Sequence, residues 1–303
     1  MKKILIIPRI KIQNANALSS PYTIGFPAMT AWLGAMHALQ RKLNAKNDAF
    51  TDLKFNSVAV VSHAFNLHTY KGSGDFNHSI ISTSNPLKKD GKRPSTIEEA
   101  RCHLTVSLLV EYSGIDQDEA QDMLEPLSSL LYCMKIASGD VLDFKTPQLI
   151  KIKTEQETHK LMTKLMPGFC LIERRDLVQA AMIQGLDGMD ALLEYLKINS
   201  NCDVAQKKEG ENDKIEWLQT RKHSGWLVPI AVGFQGITDL FSADNQRNPE
   251  VQHRFAESVV TLGEFIMASR IDHLDKMLWH YARPENGLYL CKQNQPFTNT
   301  LEQ

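Results

Sequence analysis

At 303 residues, with 43% hydrophobic and 23% charged side chains, the chain can bury a sizeable core in one large domain or two smaller ones. A net charge of −1 argues against a free-standing nucleic-acid binder, whose surface is ordinarily basic, but it leaves room for a basic face balanced by acidic ones. Cys102, Cys133, Cys170, Cys202 and Cys291 form no CxxC pair, which points to reduced thiols and not to a disulfide framework or a zinc ribbon; the apolar run after Lys3 is short for a signal peptide and ends at Pro8, no stretch approaches the length of a membrane span, and the expectation is a soluble cytoplasmic protein.

Residues 3–13 read as a strand, apolar at first and then alternating, with Ile10 and Ile12 against Arg9, Lys11 and Gln13. Asn14, Asn16, Ser19 and Ser20 follow, a concentration of amides and hydroxyls ahead of a turn at Gly25 and Pro27. Two readings fit them: a turn whose polar side chains bond their own backbone, or a surface that reads a base edge or a phosphate. Residues 28–43 carry Met29, Trp32, Leu33, Met36, Leu39 and Leu43 on one helical stripe. A second strand spans 56–68, where Val58 and Val60 and, after a phase shift, Phe65 and Leu67 supply the apolar face. Residues 70–94 are irregular, with half a hairpin at Ile80 and Ile81 and a basic tip of Lys88, Lys89, Lys92 and Arg93. That tip is either a solvated loop or a flexible arm that touches phosphate.

Residues 101–112 read as a central strand ended by Gly114, and Asp116 caps a helix over 117–132. Residues 134–144 form a strand interrupted by a tight turn at Ser138, Gly139 and Asp140. The order strand, helix, strand, strand, helix, strand is that of a ferredoxin-like unit, the architecture beneath RNA-recognition folds. Helical periodicity follows over 156–166 and 174–198, broken at Gly185 and Gly188, and 199–213 is a polar, mobile surface connection. Residues 224–240 return to a strand that Pro229 assigns to an edge, preceded by Arg221, Lys222 and His223. A long helix is expected over 249–283, on the spacing of Phe255, Val259, Leu262 and Ile266, and a last strand over 288–291. The expected class is α+β: a modified ferredoxin-like, RNA-recognition-like body over 1–150 and 216–303, with a helical insertion and its mobile connection over 151–215.

No P-loop, GxSxG, HExxH or GxGxxG motif is present. His63, His68, His78 and His103 lack cysteine or carboxylate partners at metal-ligand spacing, so no metal and no cofactor is expected. Trp32, Trp217, Trp226 and Trp279 suit core or interface positions better than exposed stacking platforms.

One resemblance goes further. Pro8-Arg9-Ile10, Ile12-Gln13-Asn14-Ala15-Asn16-Ala17, Ser19-Ser20-Pro21, Gly25-Phe26-Pro27 and His37-Ala38-Leu39-Gln40-Arg41 resemble the family of subunits that bind the crRNA 5′ handle in type I-F CRISPR surveillance (Csy) complexes. So do Gly225-Trp226-Leu227-Val228-Pro229, Leu278-Trp279-His280 and Gly287-Leu288-Tyr289-Leu290-Cys291. The resemblance implies a non-catalytic RNA-binding subunit. Its partners would be the handle, the large subunit, the terminal copy of the repeated backbone subunit and target double-stranded DNA beside the protospacer-adjacent motif. Arg9 and Lys11 would then neutralise handle phosphates, and Gln13, Asn14, Asn16, Ser19 and Ser20 would bond splayed bases and sugars. Arg221, Lys222 and His223, and the tip Lys88, Lys89, Lys92 and Arg93, would supply further phosphate contacts. The competing readings are a ferredoxin-like endoribonuclease with His37 or His63 as base, and a protein-bridging scaffold.

Overall fold

The computed structural model describes residues 1–81, 86–96, 99–205, 214–246, 248–284 and 287–294. The first half runs β1 (Lys2–Asn16), β2 (Leu18–Ser20), β3 (Thr23–Ile24), α1 (Met29–Asn44), β4 (Lys54–Leu67), β5 (Thr69–Tyr70), β6 (Ser79–Ile80), β7 (Arg101–Ser113), α2 (Gln117–Asp122), α3 (Leu124–Tyr132), β8 (Lys135–Ile136) and β9 (Gly139–Asp143). The predicted cap is present: the Asp116 carboxylate accepts from the Glu119 backbone N–H at 2.9 Å while Glu119 accepts from that of Asp116 at 2.8 Å. The expected helix is divided at Met123 into α2 and α3.

Strands β9, β1, β7 and β4 lie side by side in that order, every pair antiparallel. Their pairing decides which side chains meet. Leu5 and Ile7 of β1 join Val58 and Val60 of β4 and Leu104, Val106, Leu108 and Val110 of β7 in one core, closed by α1, α2 and α3 through residues such as Trp32, Met36, Leu39, Ala120, Leu127 and Leu131. Ile4 and Ile6 point the other way, as alternation requires, and join Ala59, Val61 and Leu109 in a second core. That core is closed by Leu161 and Met162 of α4 (Glu155–Lys164), by Leu165 just beyond its end, and by Ile271, Leu274 and Leu278. β10 (Gln148–Ile152), unforeseen in the sequence, pairs with the first residues of β1.

The second half continues with β11 (Phe169–Glu173), α5 (Arg175–Ile183), α6 (Gly188–Leu196), β12 (Asn199–Ala205), β13 (Lys214–Thr220), β14 (Leu227–Gly236), β15 (Ala256–Met267), β16 (Trp279–Ala282) and β17 (Leu288–Gln293). The helices fall where the periodicity put them, and β11 lies between α4 and α5 as a strand of the main sheet. β12 and β13 form a hairpin across the stretch expected to be a polar connection; residues 206–213 of that stretch lie outside the described residues.

The long helix expected over 249–283 is not formed. β15 occupies its first half, followed by one-turn 3-10 helices at Ala268–Arg270 and Leu274–Lys276 and then β16. The spacing of Val259, Leu262 and Ile266 imitates a helix because β15 is buried on both faces around Thr261, Leu262, Gly263 and Glu264, which erases alternation. The β-branched run Val259-Val260-Thr261 and Gly263, both poor in helices, decide the outcome.

Among the described residues, eleven strands form one sheet. Its outer region returns on itself. The free edge of β4 is shared, Val58 pairing with Trp279 of β16, and Val61 and Ser62 with Cys170 and Phe169 of β11. Because β16, β17, β14, β15 and β11 pair in succession, they leave β4 and come back to it as a ring. Trp279 is fully buried at this closure and its indole N–H donates to the Leu171 carbonyl at 3.0 Å. Trp279→Ala removes both packing and that bond; denaturant unfolding is expected to show a loss of about 3–5 kcal/mol with the slope unchanged.

Candidate nucleic-acid interface

β1 is not a regular strand. Ile7 pairs with Leu108 and Ile10 with Val106, so Pro8 and Arg9 together oppose Ser107 alone. Ile12 pairs with Leu104 and Ala15 with Cys102, so Gln13 and Asn14 oppose His103. Each site is a β-bulge, and in each the second residue has left-handed backbone, with φ of 56° at Arg9 and 58° at Asn14. The freed N–H goes to the opposing side chain each time: Arg9 N donates to Ser107 Oγ at 3.0 Å, and Asn14 N to His103 Nδ1 at 3.2 Å. β4 bulges likewise at His63, between Ser62 and Ala64.

The bulges shift the phase of β1. Leu5 and Ile7, then Ile10 and Ile12, then Ala15 and Ala17 all reach the same core, although their numbering changes from odd to even and back. The opposite face changes character with them. α4 covers it over Ile4 and Ile6, and beyond the first bulge it is open. There Lys11 stands across from Thr105, which stands across from Ala64, and His103 across from Asn66; Lys11, Gln13, Ala64 and Asn66 are exposed.

Arg9 lies at the border between covered and open face. A cleft of about 670 Å³ there is lined by Arg9, Ser107, Lys145, Thr146, Gln148 and Lys164 among others, with no acidic side chain in its wall among the described residues. Arg9 spends one donor on the Met166 carbonyl at 3.1 Å. Lys145 is held at the cleft by its own N–H, which donates to the Pro8 carbonyl at 2.9 Å. Lys145 and Lys164 were missed in the sequence because three separate segments bring them to Arg9.

The remaining candidates divide. Lys11 is exposed and paired with Asp143, Nζ to Oδ2 3.2 Å. Gln13 and Asn14 are exposed and make no side-chain hydrogen bond among the described residues. Asn16 closes a local turn, donating to the Leu18 carbonyl at 3.0 Å and accepting its N–H at 3.1 Å. Ser19 and Ser20 both reach Thr23 Oγ1, at 2.9 and 2.7 Å, across the β2–β3 hairpin. Lys222 is drawn to α6, with Nζ 3.8 Å from Glu194 and 5.0 Å from the Tyr195 ring, and His223 Nδ1 accepts from Gly225 N at 2.9 Å. Arg221 is exposed beside them. Lys88, Lys89, Lys92 and Arg93 are exposed on a separate turn where Lys92 lies 3.8 Å from Asp90. Neither basic group is joined to the β1 face by a hydrogen bond or ion pair among the described residues. Trp32 and Trp279 are buried as expected, but Trp217 and Trp226 are exposed, because each sits on a hairpin or rim that the core does not reach.

His63 forms the floor. Its Nδ1 lies 2.7 Å from the Pro167 carbonyl, so Nδ1 carries the proton; Nε2, 2.7 Å from Ser107 Oγ, then accepts the hydroxyl, whose oxygen in turn receives the Arg9 N–H. Both ring nitrogens are committed. Burial, and after it the Arg9 charge, depress the His63 pKa, against the raising effect of its bond to Pro167.

A family model described as CRISPR-associated protein (Cas_Csy2) matches residues 5–291. The chain belongs to the Csy2 family. It is 33% identical over 310 residues to CRISPR-associated protein Csy2 of Pseudomonas aeruginosa (strain UCBPP-PA14), covering 94% of each chain. The likeness first carried by the stretches at both ends thus extends across the bulged strand, the ring and the helical segment between them. In this Csy2-family fold, no described helix is long and apolar enough to cross a membrane.

The floor predicts a pH dependence. His63 is neutral in the folded state and protonates more readily when unfolded, so its contribution is whole above the ordinary histidine value of about 6.5 and is lost as pH falls below it. His63→Gln is expected to shallow the decline in unfolding free energy between about pH 7.5 and about pH 5, with His68 and His280, shifted the same way, common to both proteins. The second bulge is also backed closely: a Cβ at Gly139 would lie 2.6 Å from Ile12 Cγ2 and 2.8 Å from Ala15 N. Gly139→Ala is expected to cost about 1–3 kcal/mol in denaturant unfolding.

Proposed function

We propose that this chain is the non-catalytic subunit of a type I-F CRISPR surveillance complex that binds the 5′ handle of the crRNA, pairs with the large subunit and helps to hold target DNA beside the protospacer-adjacent motif. Membership of the Csy2 family supports the complex. The observation that carries the RNA reading is the open sheet face rimmed by the two bulges, where Arg9 and Asn14 are held in left-handed backbone. A left-handed arginine is uncommon, whereas asparagine adopts this conformation readily, and uncommon backbone of the Arg9 kind clusters at functional sites. The order β9, β1, β7, β4, numbered by unit strand as four-one-three-two, supports the ferredoxin-like, RNA-recognition-like body, whose sheet face opposite the helices is the surface available to single-stranded RNA.

In this reading Arg9, Lys145 and Lys164 take handle phosphates. Lys11 exchanges Asp143 for another. Gln13 and Asn14 read bases, and Asn16, Ser19 and Ser20 hold the bend in shape. Arg221 and the tip at Lys88, Lys89, Lys92 and Arg93, of which Lys92 would exchange Asp90, are the cations offered to target DNA or further RNA, and the terminal backbone subunit abuts the same assembly, which works in the cytoplasm. The endoribonuclease alternative gains nothing from His63, whose acceptor nitrogen is occupied by Ser107.

Co-expression with a guide RNA and the large subunit, followed by pull-down, tests the reading: all three are expected to be retained together. Asn14→Ala is expected to weaken handle binding by about 1–3 kcal/mol at one base position, and Lys164→Ala to lower affinity evenly across sequences. Metal-independent cleavage of repeat RNA that disappears in His37→Ala would overturn it.

A further inference from the structure

A second cavity lies alongside β4 where its edge runs past Ser62, the last residue paired with β11. It is a slot of about 330 Å³ walled by Phe26, Phe65, Phe169, Trp226 and Phe265, with Gly25 at its rim. The rings meet one another edge-on or tilted. Phe26 and Phe265 are 5.2 Å apart at 76°, Phe169 and Trp226 5.4 Å at 75°, and Trp226 and Phe265 5.2 Å at 49°. Phe26 gives one face to Trp32, at 5.5 Å and 24°, but the slot rings do not stack on one another, so the faces of Phe65, Phe169, Trp226 and Phe265 are not consumed that way. Trp226 is 54% exposed and Phe65 42%, so the slot is open to solvent.

Two observations choose its occupant. The slot and the cationic cleft share a wall one hydrogen bond thick: His63 lines the slot, Ser107 lines the cleft, and Nε2 lies 2.7 Å from Oγ. The rim is also tied to the polar bend, since Gly25 N donates to the Ala17 carbonyl at 2.9 Å, between Asn16 and Ser19. An apolar side chain from a protein partner would match the slot alone and draw nothing from the adjoining Arg9, Lys145 and Lys164. An unpaired nucleotide has both halves, a flat ring and an anionic linkage.

We propose that the slot receives one splayed-out base of the guide RNA while a neighbouring phosphate lies in the Arg9 cleft. The inference rests on the RNA-binding reading above and adds a site to it. His63 has both nitrogens engaged, and only Ser62 and the Trp226 indole add polar side-chain atoms to the described lining, so the base is held mainly by ring stacking. Any of the four bases is accepted at that position, and a missing base is not.

The test uses the complex assembled by co-expression, with a photoreactive base walked along the handle, followed by competition with handles carrying a single abasic residue. One handle position is expected to crosslink to Phe65, Phe169 or Trp226. Abasic substitution there is expected to weaken binding at least about fivefold in the wild type, base exchange to change it little, and the abasic effect to vanish in Trp226→Leu and Phe65→Leu with melting temperature retained. Handle crosslinks confined to other parts of this chain would overturn the slot and leave handle binding standing. No handle crosslink anywhere on this chain would overturn both. Retained RNA with loss of a protein subunit in Trp226→Leu would also overturn the slot, making it a protein-docking site.

Discussion

The structure depends on keeping β1 in phase with β7. Every apolar residue of β1 that reaches the helix-side core must stand opposite a smooth run of β7, and β1 carries one residue too many in two places. A slip of one residue would turn a whole strand segment over. Bulges at Arg9 and Asn14 absorb the surplus, at the cost of left-handed backbone that Ser107 and His103 stabilise by receiving the freed N–H groups. Packing of the core and exposure of the candidate contacts are therefore consequences of the same two irregularities.

Covering by α4 completes the division of labour. One end of the sheet is sealed on both faces, which gives the molecule a rigid centre. The other end keeps helices on one face and leaves the second to solvent. The 166–168 segment, held by His63 and Arg9, forms the boundary, with cations on one side and aromatic rings on the other. Within the proposed reading, the His63 imidazole at this boundary serves as a strut between Pro167 and Ser107.

Much of the central unit was legible in the sequence: β1, α1, β4, β7, the Asp116 cap and the turn at Ser138 announce themselves by period and by cap chemistry. Even the phase shift of β4 could be read, because Val58 and Val60 give way to Phe65 and Leu67. The same signal was present in β1, where Leu5 and Ile7 are followed by Ile10 and Ile12, but the unbroken apolar start masked it. β15 was lost for a related reason: a strand buried on both sides carries no alternation, and its apolar residues fell by accident at helical spacing. Lys145 and Lys164 could not be found at all, since only the folded chain brings α4 and the segment after β9 to Arg9. The polar bend was read as one group, whereas the hairpin spends Asn16, Ser19 and Ser20 internally and leaves Gln13 and Asn14 outward.

The pairing of Lys11 with Asp143 bears on how binding at Lys11 would depend on ionic strength. A phosphate arriving at Lys11 leaves the Asp143 carboxylate uncompensated beside it, so this contact would neutralise a polyanion less fully and free fewer of its condensed counterions. A polyanion without the right shape gains little by that exchange. In the proposed reading, the built-in acid disfavours indiscriminate attraction of polyanions to this face of a chain whose net charge is −1.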